Sequence, residues 1–280
     1  MIYRNFAGLC LLLASVFAAA DDHDESLEKV KQRGVLNVAV YDDFAPFSSR
    51  NDDNKPVGID IDVATALAER LGLKAKIRFQ PADESVDDDL RNAVWKGHYI
   101  GGGVADVMLH VPADPRFAAQ VDQVKIDAVY YMEDIALAHD SAVFEQAPEI
   151  AAFASHPVGV EIETISDLYL LSALNGRLRD NVRHYQRLIQ ATTAMVEGEI
   201  PAVMGHRTEL QGLVSGHERI KVNAVRIPGV LISSWPLGAA VKSTNGALAD
   251  AIFTALKSMV DDGTVDEIFK RHGATRLPGH

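Results

Sequence analysis

The chain has 280 residues, 48% of them hydrophobic, with 27 basic and 39 acidic side chains and a formal charge of −12. That length and apolar content suffice for a large core divided over two lobes. The negative surface repels phosphate backbones and anionic lipid, so it argues against nucleic-acid binding and direct membrane insertion; it fits a soluble surface, or one that favours a basic protein partner.

Residues 1–20 read as a cleaved export signal. Arg4 is the only charged side chain before a small and apolar run from Phe6 to Ala20, which ends in Ala18-Ala19-Ala20 ahead of Asp21-Asp22-His23-Asp24. The run is shorter than the ~20 residues of a membrane-spanning helix. Cleavage would leave a periplasmic chain of charge −13 and remove Cys10, the single cysteine. No thiol nucleophile, disulfide or thiolate metal site would remain.

The rest of the chain alternates strand and helix. Glu25–Arg33 reads as a helix closed by Gly34, and Val35–Val40 as a buried strand. A helix follows Gly58–Asp62, with Val63, Ala64, Leu67, Ala68 and Leu71 on one face and Gly72 as its stop. Then come a strand over Ala75–Phe79, a helix over Val86–Trp95 with Trp95 on its core face, and a strand over Val104–Val111. This β-α-β-α-β order predicts a parallel sheet with crossover helices. A second unit has strands at Val158–Val160, Ala202–Met204, Ile220–Ile227 and Leu237–Val241. Its helices fall at Ile165–Leu174, Thr192–Glu197 and Glu209–Val214, and two more close the chain at Ala247–Val260 and Val265–His272. Two α/β units without a flexible linker predict two lobes and a cleft, the usual place for a small ligand.

Tyr41-Asp42-Asp43-Phe44-Ala45-Pro46-Phe47 follows the first buried strand, at the carboxyl end where open α/β sheets bind ligands. Its aromatics offer flat apolar area to a cleft, or pack back on the core. Asp60 and Asp62 read as helix-capping acids, with ligand contact as the alternative. Gly101-Gly102-Gly103 precedes a strand, so it is a poor phosphate cradle. The acids Asp83, Glu84, Asp87, Asp88 and Asp89 suit a helix start and lack the spacing of a known cation loop, so no metal is expected.

Together, Arg33-Gly34-Val35-Leu36, the Ala45-Pro46-Phe47 loop, Gly58-Ile59-Asp60-Ile61-Asp62 and Ala66–Gly72 resemble the opening of family 3 extracellular solute-binding proteins. These are periplasmic receptors of amino-acid-type ABC importers. The ending, with Asp262-Gly263-Thr264 and Glu267-Ile268, is similar too. The resemblance implies the α/β, two-lobed periplasmic binding protein type II fold, with mixed sheets flanked by helices and two hinge crossings. Lobe one is then 25–135 with 238–280, and lobe two 136–237. It implies a binder of a small molecule rather than an enzyme, without a cofactor, working with an inner-membrane permease.

Carried onto this sequence, the family's carboxylate-binding arginine falls at Arg116, although the threonine that usually precedes it is missing. A salt bridge to Asp114 is the competing role for Arg116. The family's ammonium-binding Asp falls near Met204-Gly205-His206-Arg207, where no carboxylate stands. The expected ligand is therefore a small organic carboxylate and not an α-amino acid. The expected site is Tyr41, Phe44, Phe47, His110 and Arg116 from lobe one, with Thr164 and His206 from lobe two. Dehydratases exist on this scaffold; they need a positioned acid or base, and Glu163 is the one candidate. Trp95–Pro112 and Gly198–Gly205 are similar to homologues associated with periplasmic quinoprotein alcohol dehydrogenases. That likeness implies, as an alternative, an accessory partner of such a dehydrogenase without a small ligand.

Overall fold

The computed structural model describes residues 24–225 and 234–279. The export signal at 1–20, and Arg226 and Ile227 of the strand expected at Ile220–Ile227, lie outside them. Among the described residues, no helix is long and apolar enough to cross a membrane.

Helix α1 (Ser26–Arg33) is closed by Gly34 at φ 69° and leads into β1 (Val35–Tyr41). A short hairpin of β2 (Ser49–Arg50) and β3 (Pro56–Val57) precedes α2 (Ile59–Arg70), and β4 (Lys74–Gln80) then pairs parallel with β1. Helix α3 (Val86–Leu90) widens into a π-turn over Arg91–Trp95 before β5 (Val107–Pro112) joins the other side of β1 in parallel. Next come the single turn α4 (Pro115–Ala118) and the 17-residue strand β6 (Val124–Asp140). The chain continues through β7 (Val158–Glu161), α5 (Ile165–Gly176), β8 (Val182–Tyr185), α6 (Leu188–Val196), β9 (Ala202–His206), α7 (Arg207–Leu213) and β10 (Ile220–Ala224). It ends with β11 (Ser234–Lys242), α8 (Gly246–Asp261) and α9 (Thr264–Arg271).

The strand order is β4-β1-β5-β11-β6-β9-β7-β8, with β10 also paired to β6. Strand β6 changes neighbours along its length. Its first part, Val124–Asp134, runs antiparallel to β11, while Ile135–His139 pairs with β9 and Ala136–Asp140 with β10. The fold is a two-lobed, mixed α/β architecture with helices flanking the sheets. One core joins β1, β5, β6 and β11 to α2, α8 and α9 through residues such as Leu36, Val38, Ile59, Leu67, Ile252 and Phe269. Another gathers Val158, Val160, Phe153, Leu170 and Met204 around β7 and β9.

Three sequence expectations need correction. Helix α6 begins at Leu188, four residues ahead of Thr192, because its start is capped from two sides: the Gln190 side chain accepts the Arg187 N–H at 3.2 Å, and Glu161 accepts the Leu188 N–H at 3.1 Å. Strands β2, β3, β6 and β8 and the single turn α4 are not among the elements the sequence predicts. Neither Asp60 nor Asp62 caps α2. Its first N–H groups donate to backbone carbonyls, Ile59 N to Pro46 O at 2.9 Å and Asp60 N to Phe47 O at 2.8 Å. Both carboxylates are thereby free for other partners.

That junction depends on Gly58. Its φ is 131°, and a Cβ there would lie 2.3 Å from the Phe47 carbonyl oxygen. Gly58→Ala should therefore cost about 2–4 kcal/mol in urea unfolding, through backbone strain and a clash that no side chain can relieve. Gly34→Ala, also left-handed but with nothing within 4 Å of the added methyl, should cost only about 1–2 kcal/mol. Equal costs at the two positions would show that the close approach at Gly58 is not a constraint.

Candidate functional site

A cavity of ≈ 330 Å³ opens at the carboxyl ends of β1 and β5, against β9 and β11. Tyr41, Phe44, Val86, Pro112, Trp235 and Leu237 give it apolar walls, and Asp42, Asp43, His110 and His206 supply its ionisable groups. Tyr41 turns its hydroxyl away, donating to Asp89 Oδ2 at 2.8 Å. Burial, and then the Asp89 charge, push this phenol well above its usual range. Phe44 stacks on Phe47 with ring centres 5.1 Å apart.

His110 is set in place from behind. Its Nδ1 lies 3.1 Å from Oδ2 of the fully buried Asp60, and its Nε2 lies 3.1 Å from the Tyr131 hydroxyl. Tyr130 donates its hydroxyl to Asp60 Oδ1 at 2.8 Å and accepts the His110 backbone N–H at 3.0 Å. Phe44 and Phe47 meet the imidazole in near-perpendicular, T-shaped contacts with ring centres 4.9 and 4.4 Å away. A ring held on both nitrogens and by two aromatics is a fixed wall, oriented by the carboxylate at the start of α2.

His206 forms the opposite wall. It ends β9, its ring meets Trp235 edge-on at 5.3 Å, and its Nδ1 lies 2.9 Å from Glu209 Oε2. Burial alone would hold this imidazole neutral. The hydrogen bond and charge of Glu209, reinforced by Glu133 and Glu161, outweigh it and raise the pKa to about 9. His206 is thus an imidazolium at neutral pH. Its Nδ1–H is taken by Glu209, and its Nε2–H has no protein acceptor among the described residues.

The carboxylates around it are themselves built in. Glu133 is 2% exposed and accepts Asp134 N at 3.0 Å and Thr208 N at 3.2 Å on Oε1. Burial raises its pKa first, and the His206 charge works against that rise. Glu161 accepts Leu188 N at 3.1 Å and so caps α6; burial and then Glu209 raise its pKa. At the cavity mouth, the Arg187 guanidinium donates to the Asp43 carboxylate and, at 2.7 Å, to the Asp43 carbonyl. This joins the head of α6 to the loop after β1, in an exposed pair of small energetic weight.

Of the residues expected at the site, Tyr41, Phe44, His110 and His206 share this cavity. Phe47 is fully buried and backs His110 from the core. Thr164 accepts Asp167 N as the cap of α5 and lines a separate, smaller recess that shares His206. Arg116 is outside. Asp114 spends its carboxylate on the Arg116 and Phe117 backbone N–H groups, Pro115 starts α4, and the exposed Arg116 side chain does not line the cavity. Glu163 is likewise exposed, in a left-handed turn at φ 64°, away from the cavity. The acids near α3 serve internal bonds: Asp89 accepts from Tyr41 and Asp83 N, and Asp83 from Asn92.

The absence of a carboxylate around His206 was the ground for excluding α-amino acids, and the structure removes it. Glu209 stands one helical turn beyond, a three-residue spacing that could have been read. Glu161 and Glu133 arrive from other strands and carry no local signal. Trp235 was also missed; a tryptophan just before the returning strand was the available cue.

Residues 36–94 match bacterial extracellular solute-binding proteins, family 3. This match agrees with the family 3 resemblance of the opening segment. Over 148 residues the chain is 42% identical to cyclohexadienyl dehydratase of Pseudomonas aeruginosa, an alignment covering 45% of this chain and 55% of the enzyme. The chain thus spans about half the length of that relative. Two solved structures share the fold. An ancestral cationic amino acid solute binding protein superposes with a TM-score of 0.69 at 20% identity, covering 89% of this chain and 99% of its own. An amino acid ABC transporter substrate-binding protein from Streptococcus pneumoniae, bound to L-arginine, gives 0.62 at 20% identity, with 90% and 99% covered.

The His206 cluster sets a pH dependence. An imidazole raised from 6.5 to about 9 contributes its full stabilisation below pH 6.5 and loses it as pH rises through 9. Unfolding free energy should therefore fall by about 1–3 kcal/mol between pH 7 and pH 10 in wild type, and much less in His206→Gln. Parallel profiles for the two proteins would contradict the assignment.

Proposed function

We propose that this chain is a periplasmic solute-binding protein of an ABC importer, closing its two lobes on a small organic molecule. The lobes are 25–135 with 238–280, and 136–237. The change of partners along β6 near Ile135 supports that division. The ligand presents a carboxylate, or another hydrogen-bond acceptor, to His206 Nε2–H, and lays a flat apolar body between Phe44, Tyr41 and Trp235. The observation that carries this reading is the geometry at His206, whose ring Glu209 holds in its charged form. One N–H is held by Glu209, and the other is unclaimed beside an aromatic cavity. The carboxylate partner is thus assigned to His206 instead of Arg116, and α-amino acids return to the range of ligands to be tried.

Binding without turnover is the proposed activity, with a membrane permease as the partner. The likeness to a dehydratase supplies the competing outcome, in which His206 would be the acid that protonates a leaving hydroxyl. The quinoprotein partnership stays with the sequence resemblance that suggested it. The segment carrying that resemblance includes an exposed loop with Tyr99 and Ile100 at 88% and 77% exposure.

Calorimetry against a panel of aromatic and aliphatic carboxylates and common amino acids at pH 7 tests the reading. At least one should bind, and its affinity should fall roughly 10- to 100-fold in His206→Gln, the worth of one charged hydrogen bond. It should fall similarly above pH 9 in wild type. Arg116→Ala should bind as wild type does. Equal binding by wild type and a folded His206→Gln would overturn the site, and steady consumption of the bound compound would replace binder with enzyme.

A further inference from the structure

Beside the cavity, on the far side of His206, lies a recess of ≈ 10 Å³ lined by Glu161, Thr164, Ser166, Leu188, Gly205 and Glu209 among others. That volume holds one water-sized body. Ser166 is 1% exposed, and its Oγ has no hydrogen-bond partner among the described residues. An unpaired buried hydroxyl is costly and rare, and alanine would fill the second position of α5 as well. Its presence points to an occupant.

The lining specifies the sign of that occupant. Glu161 uses one oxygen to cap α6, and Glu209 uses one to hold His206. Each has a second oxygen with no protein donor among the described residues. Glu133, Glu161 and Glu209 together outnumber the one imidazolium they surround, and Arg187, whose charge also acts on Glu161, makes its ion pair with Asp43 instead. Two backbone donors beside the recess are already used, Leu188 N–H on Glu161 and Asp167 N–H on Thr164. What remains is oxygen-rich and negative, the environment of a hard cation. Among the described residues, no three Asp, Glu, His or Cys side chains converge as a metal site. Two carboxylates and one hydroxyl around a water-sized space suit a single charge.

We propose that this recess binds a monovalent cation of potassium or ammonium size, held by Glu161, Glu209 and the Ser166 hydroxyl. Because His206 belongs to both walls, the ion braces the carboxylates that hold the imidazolium toward the cleft. The site rests on the same cluster as the ligand reading but needs no cleft ligand, so the two can fail separately.

Thermal unfolding of the full chain, without solute, is measured in potassium, ammonium, sodium or choline chloride at one ionic strength. Potassium or ammonium should raise the midpoint by about 3 °C over choline and saturate with concentration. Ser166→Ala should match or exceed wild type in choline yet lose most of the rise, and Glu161→Gln, which keeps an acceptor for α6, should abolish it. Crystals in rubidium salt should show an anomalous peak in the recess. Identical midpoints in every salt would mean a bound water only and overturn the proposal. So would a full cation response in Ser166→Ala, or rubidium absent from the recess.

Discussion

Strand β6 belongs to two sheets, and where it passes from β11 to β9 it carries two adjacent carboxylates, Glu133 fully out of water and Asp134 largely so. Buried charge is tolerable only when answered, and the rest of the second lobe's edge is arranged to answer it. The turn from β9 into α7 brings three consecutive residues to the crossing. Arg207 pairs with Asp134, Thr208 donates to Glu133, and His206 takes a positive charge between Glu209, Glu133 and Glu161. Continuity of the chain between lobes thus fixes the acidic cluster, and the cluster fixes the charge on the residue that faces the cleft.

The other wall is built on the same logic with different chemistry. Asp60, freed from capping α2, is fully buried and orients His110 with help from Tyr130 and Tyr131, whose phenols burial keeps un-ionised. Phe44 and Phe47 close over that ring. One side of the cleft is then rigid and aromatic, and the other offers a charged donor. In the proposed function such a combination would orient an amphipathic small molecule, with apolar area supplying affinity and one polar contact supplying direction. The contacts of α7 with the loop after β1, where Gly212 lies against Pro46 with no room for a side chain, place the two walls at a defined separation.

What the sequence revealed followed from short-range rules. The strand Val35–Val40, the aromatic loop at its carboxyl end and the apolar face of α2 all announce themselves within a dozen residues, and Tyr41, Phe44, His110 and His206 do share one cavity. Long-range placement was illegible. The sequence of β6 has no clean alternation, since its buried face includes Glu133 and it bends at Ala128, whose φ is 58°. Without that strand, Glu133 had no address. Arg116 was assigned to the cleft by position in a family pattern, but Asp114 and Pro115 start a helical turn that turns it to solvent. Glu209 lies only three residues beyond His206, one helical turn, so that contact is legible from spacing alone.

The charge on His206 is where fold and function meet, so its titration is the decisive quantity. Nitrogen NMR of selectively labelled histidine, with His206 assigned by comparison with His206→Gln, reads it directly. An imidazole that stays protonated at pH 7.5 and titrates near pH 9 is the expected result. A His206 that titrates at or below the ordinary 6.5 would leave the cleft without its cationic donor and contradict the proposed mode of ligand binding.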